Sequence, residues 1–187
     1  MSSKNKDIKS MSLVFITTGS TKFPFDRILS SVDRILSNTK NAFFVIAQTG
    51  GSNYKWLYKN IKEEVYIKPE EISRYIKNAK KIISHGGPVS IYQIIKYAKY
   101  VPLVIPRLAK FGEHVDDHQL YFSKFLKNQL PSNLKKYFVT EENSNKVIEN
   151  YLNEKNIEND LKKYLFKHHY KSKVISEITN FIEKNVK

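Results

Sequence analysis

Residues 12–21 read SLVFITTGST, and residues 26–36 follow with apolar side chains at 28, 29, 32, 35 and 36. The first six of these residues enclose an apolar run, Leu13 to Ile16, and are mostly β-branched or aromatic, the make-up of a strand buried on both faces. A Thr-Gly-Ser-Thr turn then hands over to a stripe with helical spacing. Strand, glycine turn and amphipathic helix are the opening of a βαβ unit, and the pattern repeats downstream. Residues 42–48 (AFFVIAQ) form a second buried strand, stopped by Gly50 and Gly51. A weaker strand at 64–67 leads into Pro69, Glu70 and Glu71, which open a helix with proline and acids in its first turn and run to about Asn78. Lys81–Ser84 (KIIS) is the next strand; His85, Gly86, Gly87 and Pro88 turn the chain into a helix with Ile91, Ile94, Ile95 and Ala98 on one face. Residues 102–105 form a strand bracketed by prolines. A helix from about 115 to 128 turns Tyr121, Phe122, Phe125 and Leu126 inward. Strands alternating with helices predict an α/β fold, a Rossmann-like parallel sheet with helices on both faces.

Beyond Pro131 the texture changes. Residues 137–140 suit a last edge strand, and the apolar positions from Val147 to Leu165, then from Val174 to Ile182, suit C-terminal helices. This divides the chain into a flexible tail (1–11), a ligand-binding domain (12–140) and a helical extension (141–187). The stripe on the last helix exceeds what a compact sheet needs and suggests docking of a partner.

The 187 residues are 41% hydrophobic and 27% charged, enough to bury a core. No apolar run approaches the roughly 18–20 residues that span a bilayer, and residues 1–10 lack the apolar stretch of a signal peptide. The absence of cysteine excludes disulfides, thiolate-bound zinc, iron–sulfur clusters and a thiol nucleophile, and fits a reducing compartment. Net charge is +14, with 21 basic and 10 acidic side chains in residues 1–130. That excess attracts polyanions, or it reflects a Lys-, Asn- and Ile-rich composition without a binding surface. Twelve tyrosines and a basic surface would suit nucleic acid, yet no RNA-binding aromatic motif or helix-turn-helix pattern accompanies them.

Three polar loops follow three strands at one end of the sheet. Gly19, Ser20 and Thr21 make either a tight turn with a helix cap or an anion site of backbone N–H groups. No Walker lysine pattern is present, which argues against a P-loop nucleotidase. His85, Gly86 and Gly87 sit where open α/β sheets bind ligands; the histidine either caps the strand or meets a phosphate or a proton. Arg107, directly after a strand, could aim its guanidinium at a diphosphate. Residues 112–119 (GEHVDDHQ) pack carboxylates, imidazoles and an amide together. They suit sugar recognition, a solvated face, or metal ligation by His114 and His118 four residues apart. The composite is a phosphate-bearing ligand held above the sheet.

The run from Ile83 to Gln119, with HGGP, a VPLVIPR segment and GEHVDDHQ in order, resembles the glycosyltransferase family 28 C-terminal domain. With the opening FITTGSTKFPFDR (15–27), it is most similar to small bacterial exopolysaccharide and capsule glycosyltransferase subunits. More distantly it is similar to the soluble subunit of the dolichol-linked N-acetylglucosaminyltransferase and to the donor half of the lipid II N-acetylglucosaminyltransferase. The resemblance implies the C-terminal, nucleotide-sugar half of a GT-B enzyme: a UDP-sugar donor, inverting transfer, no essential metal and no cofactor. It also implies a separate membrane-associated, acceptor-binding subunit, a polyprenyl-diphosphate-linked acceptor, and a place at the cytoplasmic face of the plasma membrane through that partner. A non-catalytic accessory subunit is the alternative. Carried onto this chain, Gly19 and Ser20 lie by the diphosphate; His85, Gly86, Gly87 and Ser90 form the second loop around it; Asp117 and Gln119 touch the sugar. His85, Glu113 and His114 are the candidates for the general base. Val89 stands where a small residue is usual and predicts a narrower loop. Gln93 stands where distant relatives carry a ribose-binding glutamate, and Ala98 replaces a glycine.

Overall fold

The computed structural model describes residues 11–39, 41–140 and 144–165; most of the N-terminal tail and the stripe from Val174 to Ile182 lie outside the described residues. Strands β1 (Ser12–Thr17), β2 (Phe43–Gln48), β3 (Ile61–Glu64), β4 (Lys81–Ser84) and β5 (Leu103–Val104) form one sheet in the order β3-β2-β1-β4-β5. Every pairing is parallel, so the expected doubly covered α/β sheet is present. Between the strands run α1 (Asp26–Asn38), α2 (Pro69–Asn78) and α3 (Pro88–Tyr97); α4 (His118–Gln129), α5 (Ser132–Lys135), α6 (Asn145–Asn153) and α7 (Leu161–Leu165) follow β5.

The period-two alternation of β1 sorts its side chains between two cores. Val14 and Ile16 join Phe43, Val45 and Ile83 under α1, α4, α6 and α7. Phe15 joins Ile46 and Ile82 under α2 and α3, against Tyr75, Ile76 and Ile94. Helix α1 buries Ile28, Leu29, Val32 and Leu36 on one stripe, each worth roughly 1.5–3 kcal/mol. The described helices of the C-terminal extension use their apolar stripe on this same core, through Ile148, Tyr151, Leu152, Leu161 and Leu165. The Tyr151 hydroxyl accepts the Ile82 N–H at 2.9 Å and donates to the Val101 carbonyl at 3.0 Å, closing a gap in the sheet. Asn159 Nδ2 donates to the Ile95 and Ala98 carbonyls, finishing α3.

Four boundaries differ from the sequence reading. Strand β3 ends where the 64–67 strand was expected to begin, because Val45–Gln48 of β2 pair with 61–64 and leave Val65 and Tyr66 exposed. Strand β5 is only two residues long, since Pro102 and Pro106 have no N–H to give the ladder. Residues 137–140 contribute a single parallel bridge, Val104 with Phe138, rather than a strand. Helix α4 starts at His118, not at 115. A 3₁₀ turn (Ala109–Phe111) ends on Gly112 in the left-handed region (φ 69°), and the chain folds back so that Asp117 Oδ1 accepts the Ala109 N–H at 2.8 Å. Val115 and Tyr121 are consequently exposed, while Phe122 and Leu126 face inward.

Candidate functional site

The strand order reverses between β1 and β4, and the crevice beyond their carboxyl ends is where open α/β sheets bind ligands. A cleft of about 180 Å³ lies there. Thr17, Gly19 and Gln48 line it from the strand ends; Tyr66, Pro69 and Ile72 make an apolar wall; Ser90 and Gln93 of α3 close the other side.

Two loops meet at the cleft. Gly19 takes φ 84°, and its own N–H is used by Thr17 Oγ1 at 3.2 Å. The N–H groups of Ser20, Thr21, Gly86 and Gly87 have no acceptor among the described residues. Gly87 caps α3, whose Pro88 sits in the first turn, so the helix dipole adds partial positive charge at the same place. Unpaired N–H groups at a helix start are a ready anion cradle.

His85 joins the loops. Its backbone N–H donates to the Thr17 carbonyl at 3.1 Å, and its Nδ1, 3.3 Å from the same carbonyl, must carry the ring hydrogen because a carbonyl only accepts. A Cβ at Gly87 would stand 2.5 Å from His85 Nε2, and one at Gly19 2.9 Å, so both glycines are spaces that the ring fills. The side chain is only 7% exposed. Burial, helped by the nearby Arg107 charge, lowers its pKa to about 4 and keeps the ring neutral. As a general base at neutral pH, His85 is therefore weak and shielded; its evident work is holding Gly19 and Gly87 in place.

The third loop corrects the sequence reading most. Arg107 does not aim at a ligand. Its buried guanidinium donates to the carbonyls of Thr18, Phe23 (2.7 Å) and Glu113 (2.8 Å), tying the first loop to the third. Burial pushes it down to about 10, against the pull of Glu113, so it stays charged at neutral pH. Glu113 is not an available base. Its Oε1 accepts from Arg27 Nε at 2.7 Å, and its Oε2 accepts from Arg27 Nη2 and the Leu108 N–H, both at 2.8 Å. Gln119 is buried, with Oε1 on the Arg107 N–H at 3.2 Å. It also touches Gly86, where a Cβ would come within 3.0 Å of Gln119 Cβ. Asp117 spends Oδ1 on Ala109, leaving part of its half-buried carboxylate for the sugar contact expected of it.

His114 packs against Phe23 and edge-on to His118, with ring centroids 5.5 and 4.5 Å away. Its Nδ1 is buried without a hydrogen-bond partner, 3.6 Å from Asp116 Oδ1. Burial, and then the His118 charge, lower the His114 pKa. Burial works to raise that of Asp116, but hydrogen bonds from the His118 ring and backbone outweigh it and hold it below the carboxylate range. Val89, expected to narrow the second loop, is 74% exposed and points away from it.

The glycosyltransferase family 28 C-terminal domain model matches residues 13–184. The chain belongs to this family. No curated protein matches it. The family-28 domain carries glycosyltransferase chemistry and hence uses a sugar donor, on the parallel sheet described above. Among the described residues no helix is long and apolar enough to cross a membrane.

Three residues that position or line this end of the molecule escaped the sequence reading. Gln48 is 2% exposed, with its Oε1 unpaired at the floor of the cleft. Its only signal was an amide ending an otherwise apolar strand. Arg27 is the partner that consumes Glu113, 86 residues away in sequence. Asp33 is buried in α1 and accepts from Tyr54 Oη and from the Leu57 and Tyr58 N–H groups at 2.8–2.9 Å, holding the 52–60 loop beside the sheet. Desolvation of the Tyr54 phenol, then its hydrogen bond to Asp33, raise the Tyr54 pKa to about 12.

Proposed function

We propose that the chain is the donor-binding subunit of an inverting, metal-independent glycosyltransferase. The observation that carries this reading is that the N–H groups of Ser20, Thr21, Gly86 and Gly87 lie unpaired in the two loops that the His85 ring joins. Next to them is a cleft that Gly19 and Ser20 line together with an apolar wall and amide side chains. The N–H groups suit a diphosphate; Tyr66, Pro69 and Ile72 suit the face of a base; Gln48 and Gln93 suit its edge and the ribose hydroxyls. Family membership supplies the sugar, and a UDP-hexose or UDP-N-acetylhexosamine is the donor class we assign. Asp117, with the Nε2 of Gln119, is the pair we place against the sugar.

Transfer needs two things from protein. Negative charge growing on the departing diphosphate is met by N–H groups already in place, which need no reorganisation. The acceptor hydroxyl must lose a proton to a general base. Glu113 is neutralised by Arg27, His85 is buried and neutral, and His114 has its Nδ1 buried and its basicity lowered by that burial. We therefore assign the base to a membrane-associated acceptor-binding partner, with a polyprenyl-diphosphate-linked saccharide as acceptor in exopolysaccharide or capsule synthesis. The same consumption of acid and base groups favours one second reading: an accessory subunit that binds this partner and enhances it without holding donor.

Calorimetric titration of the purified chain with UDP, against GDP and a short single-stranded RNA, decides between the two. Selective, magnesium-independent UDP binding supports the donor subunit. No binding, alone or with the co-expressed partner, leaves the accessory reading.

A further inference from the structure

The loop between β5 and α4 brings His114, Asp116 and His118 together so that one donor atom from each lies within 4.8 Å of the others. We propose that these three side chains bind a single divalent transition cation of the zinc class at the C-terminal edge of the sheet. The inference stands on its own geometry and does not require the donor-subunit reading.

Two imidazoles and one carboxylate are the donor set of zinc, cobalt or nickel; magnesium and calcium prefer oxygen alone. With bonds of about 2.0–2.2 Å, tetrahedral ligand atoms sit roughly 3.3–3.6 Å apart. His114 Nδ1 and Asp116 Oδ1 are 3.6 Å apart, a spacing long for a hydrogen bond and right for two ligands of one ion. His118 Nδ1 hydrogen-bonds the same oxygen, closer than two ligands of one ion stand, so a bound ion would replace that hydrogen bond and open this pair to ligand spacing.

A hydrogen-bonded Asp116–His118 pair accounts for only half of this arrangement. It leaves His114 Nδ1 buried and unpaired, an unfavourable state, within reach of a carboxylate that it does not engage. The His114 ring is fixed on both sides by Phe23 and His118, so the orphaned nitrogen has a defined direction. Asp116 is fixed too, since its Oδ1 also accepts the His118 N–H at the start of α4, at 3.2 Å. A carboxylate has lone pairs enough for a cap and a cation. The imidazoles are 15% exposed and Asp116 is 40% exposed, which shields the rings and leaves an open side where water completes the coordination. The nearest guanidinium groups do not compete: Arg107 is spent on carbonyls, and Arg27 is paired with Glu113. A bound ion would be structural, bracing the turn into α4, with no part in the transfer itself.

The test uses the full-length chain, stripped with a chelator and titrated with Zn²⁺ by calorimetry and with Co²⁺ by visible absorption. The expected result is one equivalent bound, an intense tetrahedral cobalt spectrum, and at least about a tenfold loss of affinity in both His114→Ala and His118→Ala. A double His168→Ala, His169→Ala variant controls for the adjacent histidine pair elsewhere in the sequence and must leave binding unchanged. No binding overturns the proposal, as does binding that follows His168 and His169. If the histidine variants do not fold, the wild-type cobalt spectrum and an Asp116→Asn variant decide: a weak, octahedral, water-like spectrum overturns the site. UDP titration of the stripped chain is a separate readout, so failure of either proposal leaves the other testable.

Discussion

The loop after β4 and the loop after β5 lie side by side at one end of the sheet and divide their labour opposite to their composition. Residues 85–90 hold one ionisable side chain, yet they present the open N–H groups of Gly86 and Gly87. Residues 106–119 hold most of the chemistry in the motif, yet Arg107, Glu113 and the Gln119 oxygen are bonded to the protein itself. The anion cradle is backbone, and the charged side chains are its frame. A buried polar group must be paired, and here pairing uses the groups that look most reactive.

Breaking the frame has the largest expected effect. Arg107→Ala would leave the Thr18, Phe23 and Glu113 carbonyls unpaired in a buried place, and each costs about 1–3 kcal/mol. We expect a loss on the order of 4 kcal/mol or more in urea unfolding. A loss below about 1 kcal/mol would mean that the guanidinium is not the tie between the loops.

Next comes pH. The native His85 ring is neutral down to about 4, whereas unfolded chains protonate it near its ordinary 6.5. Between those values the unfolded state binds more protons, so stability falls as pH falls and is fully present above the upper one. The drop approaches about 3 kcal/mol by pH 4. A His85→Gln variant, compared with wild type across this window, should lose that slope; an unchanged slope would place the acid sensitivity in other groups.

Gly87→Ala sharpens the contrast at the cradle. The new methyl would stand 2.5 Å from His85 Nε2, so ring or loop must shift. UDP affinity is expected to drop at least tenfold, about 1.4 kcal/mol. The same titration on wild type is the reference, and equal affinities would remove the diphosphate from this loop.

Most of the sheet was legible because β1, β2, β4 and β5 are short apolar runs followed closely by glycine or proline, and each of the first three helices has an apolar stripe. Strand β3, with the sequence IKEE, has no such pattern, and its limits differ from the reading. Strand β1, helix α2 and strand β4 have the limits that pattern predicts. The chain after Ile105 was less legible, since its turns are set by distant partners: Glu113 by Arg27, Asp117 by Ala109. Periodicity carries no information about such ties, and a helix drawn through 115–117 ignored the left-handed Gly112 before it. At the site, the glycines and His85 were found by their place after a strand. Gln48 was missed because a single amide at a strand end has no spacing to mark it.

Val89→Ala gives the smallest effect and tests the loop comparison from the opposite side. A β-branched residue after HGGP predicts a crowded phosphate loop from sequence alone. In the fold it begins the outer face of α3 with its side chain in solvent. Trimming it removes little buried area, and alanine is the better helix former by a few tenths of a kcal/mol. Unfolding free energy should change by less than about 0.5 kcal/mol, and UDP affinity should not change. A gain in affinity would show that Val89 reaches over the cradle when ligand is present. The loop would then owe its selectivity to a side chain after all, and the division between backbone cradle and side-chain frame would fail where it looks simplest.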